Sequence, residues 1–320
     1  MELKHIIGAS LVGALVLALI FTFVISYICY YKTFHESPKK EKRKNKVMKN
    51  ASLVFVQHMD TITDWKQNVL SLPYKDVSIT SNDGLKLVGR YYENKKGAPI
   101  EILFHGYRGS ALRGMTGHLL RAFKAGRNVL AVDQRASGES EGSTITFGVK
   151  ESLDCKLWTE FAVKEIDKDA KIVITGVSMG AATVLTASSL ELPENVVAAV
   201  ADCGYTSAKE IIMQTMKDMH LSPKFFYPFA VIGGKLFGNF DIEERSPFDS
   251  MKNARIPILF IHGKLDDFVP YEMGQRNYEA CSTQKNFITF ERAGHASSYL
   301  LNSERYYNEL EAFLEPILAK

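Results

Sequence analysis

Cysteine is scarce in this chain, with Cys29, Cys155, Cys203 and Cys281 the only four in 320 residues. They are widely spaced and form no CxxC pair, which excludes a disulfide framework and a thiolate metal cluster. Buried free thiols in a reducing compartment fit this usage. There is no HExxH and no Cys/His ligand set, so neither a metal nor an organic cofactor is implied. No internal repeat and no low-complexity tract is present. An excess of one charge sign is also missing from most of the chain. The formal net charge is +3, but eight Lys or Arg against two Glu fall between Lys32 and Lys49, leaving the rest slightly acidic. That distribution predicts no nucleic-acid surface.

What the sequence does have is one long uncharged run. From Ile6 to Tyr31, 26 residues carry no charged side chain, and about 20 suffice to cross a bilayer as a helix. Tyr27, Tyr30 and Tyr31 stand at its C-terminal edge, where interfacial aromatics collect. A cleaved signal peptide fits less well: the run is too long, Glu2 and Lys4 make a weak leader, and no small-x-small site precedes the basic segment. The prediction is an uncleaved single-pass anchor over residues 1–31 and a basic juxtamembrane linker over 32–50. Lys32, Lys39, Lys40, Lys42, Arg43, Lys44, Lys46 and Lys49 outweigh Lys4, so the positive-inside rule puts the remainder on the cytoplasmic side of the cell membrane. The same cations suit anionic lipid headgroups.

Residues 51–320 are enough for one large α/β domain. A lead-in helix is expected over about 47–72, ending before Pro73. VSITS and LKLVGRYYE flank Asn82-Asp83-Gly84 and read as a hairpin. Six apolar runs follow (IEILF, NVLAVD, KIVITG, VVAAVAD, PILFIHG and NFITFE), alternating with helical segments at 112–125, 149–166, 180–190, 271–281 and 303–318. Continuous apolar runs suit parallel strands covered on both faces, and the alternation predicts a mostly parallel eight-stranded sheet between helical layers. The roughly 54 residues between Asp202 and Pro257 exceed a simple connection. They predict a small helical cap over about 205–250.

Gly176-Val177-Ser178-Met179-Gly180 lies between a strand-like and a helix-like run. That is the context a nucleophile elbow needs: glycines let strand and helix approach, and the turn lifts the serine above the sheet edge. A serine needs a base, and the base needs an orienting carboxylate. His295 follows the last strand and Asp266 the one before it, both at the strand ends where open α/β sheets build sites. Asp267 is the neighbour that can replace Asp266. The loop after IEILF, His105-Gly106-Tyr107-Arg108-Gly109, is placed to give one oxyanion donor at Tyr107, with Met179 giving the other. The Tyr107 hydroxyl either joins that hole or shapes the pocket mouth. His105 reads as a structural hydrogen-bonding residue.

Together these segments resemble the α/β-hydrolase superfamily. Its motifs are matched by His105–Gly109, by Asp133-Gln134-Arg135-Ala136-Ser137-Gly138-Glu139-Ser140, by Gly176–Gly180, by Gly263-Lys264-Leu265-Asp266-Asp267-Phe268-Val269-Pro270, and by Gly294-His295. The match covers about residues 75–318. Within the superfamily the chain is similar to bacterial single-pass membrane-anchored serine hydrolases of the serine aminopeptidase-like and acyl-esterase branch. Ala136 departs from the glycine many relatives carry there. The resemblance implies the α/β-hydrolase fold and the triad Ser178, Asp266 and His295, with esterase, thioesterase or peptidase chemistry.

The cap segment 219–240 holds Phe225, Phe226, Tyr227, Phe229, Phe237 and Phe240, with Lys224 and Lys235 and no acid. Such a roof suits a small-molecule acyl or aryl ester, with Phe225, Phe226 and Phe229 as candidate substrate contacts, although the same aromatics can simply pack the cap. An aminopeptidase needs a carboxylate for the free ammonium, and the nearest are Glu243 and Glu244. The expected function is cleavage of carboxylic esters or thioesters through an acyl-enzyme. The alternatives are a peptidase or acyltransferase with the same triad, and a membrane-tethered scaffold without turnover.

Overall fold

The structure is a computed structural model that describes residues 2–36 and 53–319. The expected basic linker beyond residue 36, and the start of the lead-in helix, lie outside the described residues. Helix α1 (Glu2–Thr33) contains an apolar span, Ile7–Thr33, of mean hydropathy 2.6. Helices α2 (Leu53–Gln57) and α3 (Met59–Ser71) follow, so the single lead-in helix expected from the sequence is broken at His58. Then come β1 (Lys75–Thr80), β2 (Lys86–Tyr92), β3 (Ile100–Phe104), α4 (Thr116–Lys124), β4 (Asn128–Val132) and α5 (Val149–Phe161), which runs into a π-helical turn at Ala162–Ile166. After β5 (Ile172–Val177), α6 (Met179–Ala187) and β6 (Val196–Asp202) come α7 (Ala208–Asp218), α8 (Pro223–Gly238) and α9 (Pro247–Met251). The chain closes with β7 (Ile258–Gly263), α10 (Tyr271–Ala280), β8 (Lys285–Phe290), α11 (Ser298–Leu301) and α12 (Ser303–Leu318). Helix α4 starts later than the predicted residue 112 because Gly114, at φ +107°, turns the chain just before it.

The eight strands form one sheet in the order β1-β2-β4-β3-β5-β6-β7-β8. The hairpin is antiparallel, β2 is antiparallel to β4, and every later pairing is parallel. Gly84 takes φ +85° in the hairpin turn, and Ser81 Oγ accepts the Leu85 amide at 2.9 Å. Successive residues of a strand point to opposite faces. Thus Ile100, Ile102 and Phe104 pack with Trp158 of α5 and Val184 of α6, while Leu103 and Val129 pack with Leu119 of α4. Val173 and Val200 meet Tyr306 and Leu310 of α12 on that second face.

On the second face lies a buried charge cluster. Glu101, fully buried in mid-strand, pairs with Arg121 of α4 and takes Arg127 Nε at 2.8 Å and Thr175 Oγ1 at 2.6 Å. Arg127 also donates to Glu311 of α12 at 2.7 Å. These pairs tie two helices to the sheet through buried charges.

Helices α7, α8 and α9 fill the long interval between β6 and β7. One apolar cluster joins α7 and α8 to Cys29 and Tyr30 at the end of α1 and to Phe34 just beyond it. Phe21 meets Phe229 edge-on at 6.1 Å, and Phe237 packs against Phe23, Tyr27 and Tyr30 at 5.2–5.7 Å. Gly233 makes the approach feasible, since a Cβ there would stand 2.4 Å from the Ser26 carbonyl oxygen. Gly233→Ala is therefore expected to push α1 away from α8. Disulfide trapping between Phe23→Cys and Phe237→Cys reads this: yield drops several-fold in the Gly233→Ala background, and an equal yield would show that the helix pair adapts.

Candidate active site

Ser178 sits between β5 and α6 at φ +57°, ψ −115°. An L-residue is strained there, and the surrounding structure must hold it. Two glycines permit the turn. A Cβ on Gly176 would lie 2.0 Å from the Gly180 oxygen, and one on Gly180 would lie 2.0 Å from the Phe104 oxygen. The Ser178 amide donates to Asp202 O at 2.8 Å, fixing the elbow to the neighbouring strand end.

Ser178 Oγ lies 2.9 Å from His295 Nε2, and His295 Nδ1 lies 2.8 Å from Asp266 Oδ2. Asp266 Oδ1 accepts the amides of Phe268 (3.1 Å) and Val269 (2.8 Å), so the carboxylate is anchored on one oxygen and presents the other to the histidine. Burial opposes its charge, but hydrogen bonds from His262 and His295 outweigh that and hold the carboxyl down at about 2. Asp267, the alternative acid, is exposed. Asp266 is buried and Ser178 is 7% exposed, while the His295 side chain keeps 23% of its surface open.

The backbone amides at the start of a helix lack intrahelical partners and favour negative charge. Met179 opens α6, immediately after Ser178. From the other side the loop after β3 comes so close that a Cβ on Gly106 would lie 3.5 Å from the Ser178 Cβ. Tyr107 is the next residue. Its hydroxyl points elsewhere, donating to Thr33 O at 2.7 Å. His105 is fully buried beneath the loop, with Nδ1 2.7 Å from Gly106 O and Nε2 accepting the Gln134 amide at 3.0 Å. Burial pushes its pKa down, which suits the neutral tautomer these partners require.

The cap aromatics lie in α8, except Phe240, which follows it. Phe226 and Phe229 are partly buried beside α1, and Phe225 is 48% exposed. A ring that sequence reasoning passed over lies against His295: Phe268 packs edge-on to it at 5.0 Å. His262 is a second omission. Its Nε2 lies 3.0 Å from Val269 O and 3.4 Å from Asp266 Oδ2, steadying the acid loop. A polar residue ending the apolar run PILFI was the available signal. Asp202 is a third, buried beside Tyr306, whose hydroxyl donates to it at 3.1 Å. Burial raises its carboxyl to about 6 against the opposing influence of His262 and Tyr306.

Cys203, Asp266 and His295 offer ligand atoms within 4.8 Å of one another. They fit a metal poorly. The facing atoms of Asp266 and His295 are already joined, and burial lifts the Cys203 thiol well above its ordinary value, disfavouring the thiolate that would bind.

This sheet, elbow and helical arrangement define an α/β hydrolase. Residues 124–320 match the prolyl oligopeptidase family, Peptidase_S9, and the chain belongs to that family. It is similar to the protein YqkD of Bacillus subtilis (strain 168), with 29% identity over 210 residues, 63% of this chain and 69% of that one. The protein bem46 of Schizosaccharomyces pombe is 27% identical over 230 residues, 69% of each chain. Among solved structures, the Pyrococcus furiosus esterase Pf2001 superposes with a TM-score of 0.65 at 27% identity, covering 78% of this chain and 94% of that one. The molecule is thus an α/β hydrolase of esterase-like kind with an apolar N-terminal helix.

Proposed function

We propose that this chain is a membrane-anchored serine hydrolase that cleaves carboxylic esters or thioesters through an acyl-enzyme. The observation that carries the reading is the unbroken hydrogen-bonded line from Ser178 through His295 to Asp266, with the serine held at a strained elbow. His295 Nε2 takes the Ser178 proton as Oγ attacks the acyl carbon, and Asp266 stabilises the imidazolium. The carbonyl oxygen gains negative charge and accepts from the amides of Met179 and Tyr107, each worth roughly 3–4 kcal/mol in such sites. His295 then gives the proton to the leaving alcohol or thiol, and water releases the acid by the same route.

A lipophilic acyl group suits the aromatic cap, where Phe225, Phe226 and Phe229 are the candidate contacts. An aminopeptidase is less well supported, because Glu243 is already paired with Lys209 at 2.9 Å and Tyr227 at 2.9 Å, and Glu244 with Arg245 at 3.3 Å. The similarity to an esterase favours the same side. The domain scheme is an anchor at 1–31, a basic linker at 32–50 that suits anionic lipids, and a hydrolase domain at 51–320 with its cap near 205–250. The Ile7–Thr33 span has 27 residues against the roughly 20 that cross a bilayer, and its C-terminal half also packs on α8. With the cationic segment following it, the hydrolase domain belongs on the cytoplasmic side.

The test uses the full-length protein in lipid nanodiscs with a fluorophosphonate probe and p-nitrophenyl esters of increasing chain length. Wild type labels and turns over, and Ser178→Ala does neither. A folded wild type that is inert would leave the tethered scaffold as the better reading. Peptide cleavage or transfer to an added alcohol in preference to hydrolysis would favour the peptidase or the acyltransferase.

A further inference from the structure

The last turn of α1 and the four residues that follow from Thr33 do more than link a hydrophobic helix to a hydrolase. Thr33–Glu36 runs as a short strap over the loop that follows β3. Tyr107 donates its hydroxyl to Thr33 O at 2.7 Å. Arg108, itself at φ +55°, donates through Nη2 to Lys32 O at 3.2 Å and His35 O at 3.1 Å. Its Nε pairs with the buried Glu36 carboxylate at 3.1 Å. The guanidinium therefore closes the C-terminal end of α1, where a cation is favoured, and ties it to the residue beside Tyr107.

The strap is itself held. His35 bridges antiparallel to Thr144, with Glu36 N on Ser143 O at 2.9 Å and Ile145 N on Phe34 O at 2.8 Å. Tyr30 and Thr144 hydroxyls lie 2.7 Å apart. Phe34 is fully buried, edge-on to Phe147 at 5.8 Å and Phe240 at 5.2 Å, and Phe147 packs on the Tyr107 ring at 5.1 Å. The loop has bonds of its own, Gly109 N to Gly106 O at 3.0 Å and His105 Nδ1 to Gly106 O at 2.7 Å, and the Tyr107 and Arg108 side chains add a grip from outside it.

We propose that Thr33–Glu36 is a positioning element for the oxyanion loop, acting through Tyr107 and Arg108, so that full turnover requires the anchor's exit segment to be docked. This rests on the serine hydrolase reading above. Removing a donor outright costs about 10²–10³ in kcat. Here the donor stays and only its placement relaxes, so a smaller loss of about tenfold follows.

The test compares full-length wild type, Tyr107→Phe and Glu36→Ala in nanodiscs. Both variants are expected to lose about tenfold in kcat with KM within twofold of wild type. Affinity for a trifluoromethyl ketone, which forms a tetrahedral adduct on the serine, falls in proportion. Glu36→Asp, which keeps the carboxylate, restores much of the loss, and thermal melts identify any variant that merely unfolds. Folded Tyr107→Phe and Glu36→Ala with wild-type kcat and adduct affinity would overturn the strap while leaving the hydrolase standing. A wild type that neither labels nor turns over would remove both.

Discussion

Asp266→Asn is expected to lower kcat by about 10⁴ at neutral pH, on the scale that loss of the orienting carboxylate produces in serine hydrolase triads. The reason is visible in how the acid is held. Oδ1 takes the Phe268 and Val269 amides, and an asparagine in this place keeps its oxygen there. Its amide nitrogen then faces His295 Nδ1, where Oδ2 now lies at 2.8 Å. Two donors cannot face each other, so Nδ1 becomes an acceptor and the proton moves to Nε2. A protonated Nε2 cannot take the proton of Ser178 Oγ, 2.9 Å away. Neither neighbouring acid is placed to substitute: Asp267 is exposed, and Asp202, raised to about 6 by burial, is engaged by Tyr306. Ester turnover and the rate of fluorophosphonate labelling should fall together. A loss below tenfold would mean that Asp266 is not the orienting acid.

The largest stability effect is expected away from the site, at Glu101. Glu101→Ala leaves the buried Arg121 and Arg127 with Glu311 alone to balance two positive charges. Breaking a buried ion network from one side typically costs about 3–5 kcal/mol, because the stranded charge remains out of water. Urea denaturation of the full-length protein reads that loss directly, and a change under 1 kcal/mol would show that water reaches the arginines. The pH dependence has a definite sign. Burial works against the Glu101 charge, but the two arginines prevail and lower its pKa from 4.5 to about 2. A depressed pKa contributes stability that is fully present above the unfolded value. The contribution of Glu101 therefore holds above about pH 4.5 and drains away as the pH falls toward 2. Glu101→Gln should flatten the stability curve across that window.

Much of this molecule was legible in its order of residues. All eight strands could be read because most are apolar runs closed by turn residues, a pattern that survives without knowledge of neighbours. Ser178, Asp266 and His295 could be singled out because each follows a strand, and strand ends on one sheet edge converge. Helix boundaries were less legible: α4 begins after Gly114, and the lead-in helix breaks at His58. Such ends depend on local backbone angles that composition reports poorly. Glu101 passed unnoticed inside IEILF, since a single acid in an apolar strand gives no hint of two arginines facing it from another layer.

The sequence by itself determined the fold class, the strand-end placement of three reactive residue types and one helix long enough to span a bilayer, because each is a matter of periodicity or spacing along the chain. Only the tertiary structure shows that Asp266 is hydrogen-bonded to His295 while Asp267 is exposed. It also decided where the Tyr107 hydroxyl goes, and that the end of α1 reaches the loop above Ser178. Tyr107 and Thr33 stand 74 residues apart in the chain yet 2.7 Å apart in space. Contacts of that kind arise from how the packed layers meet, and no local pattern records them.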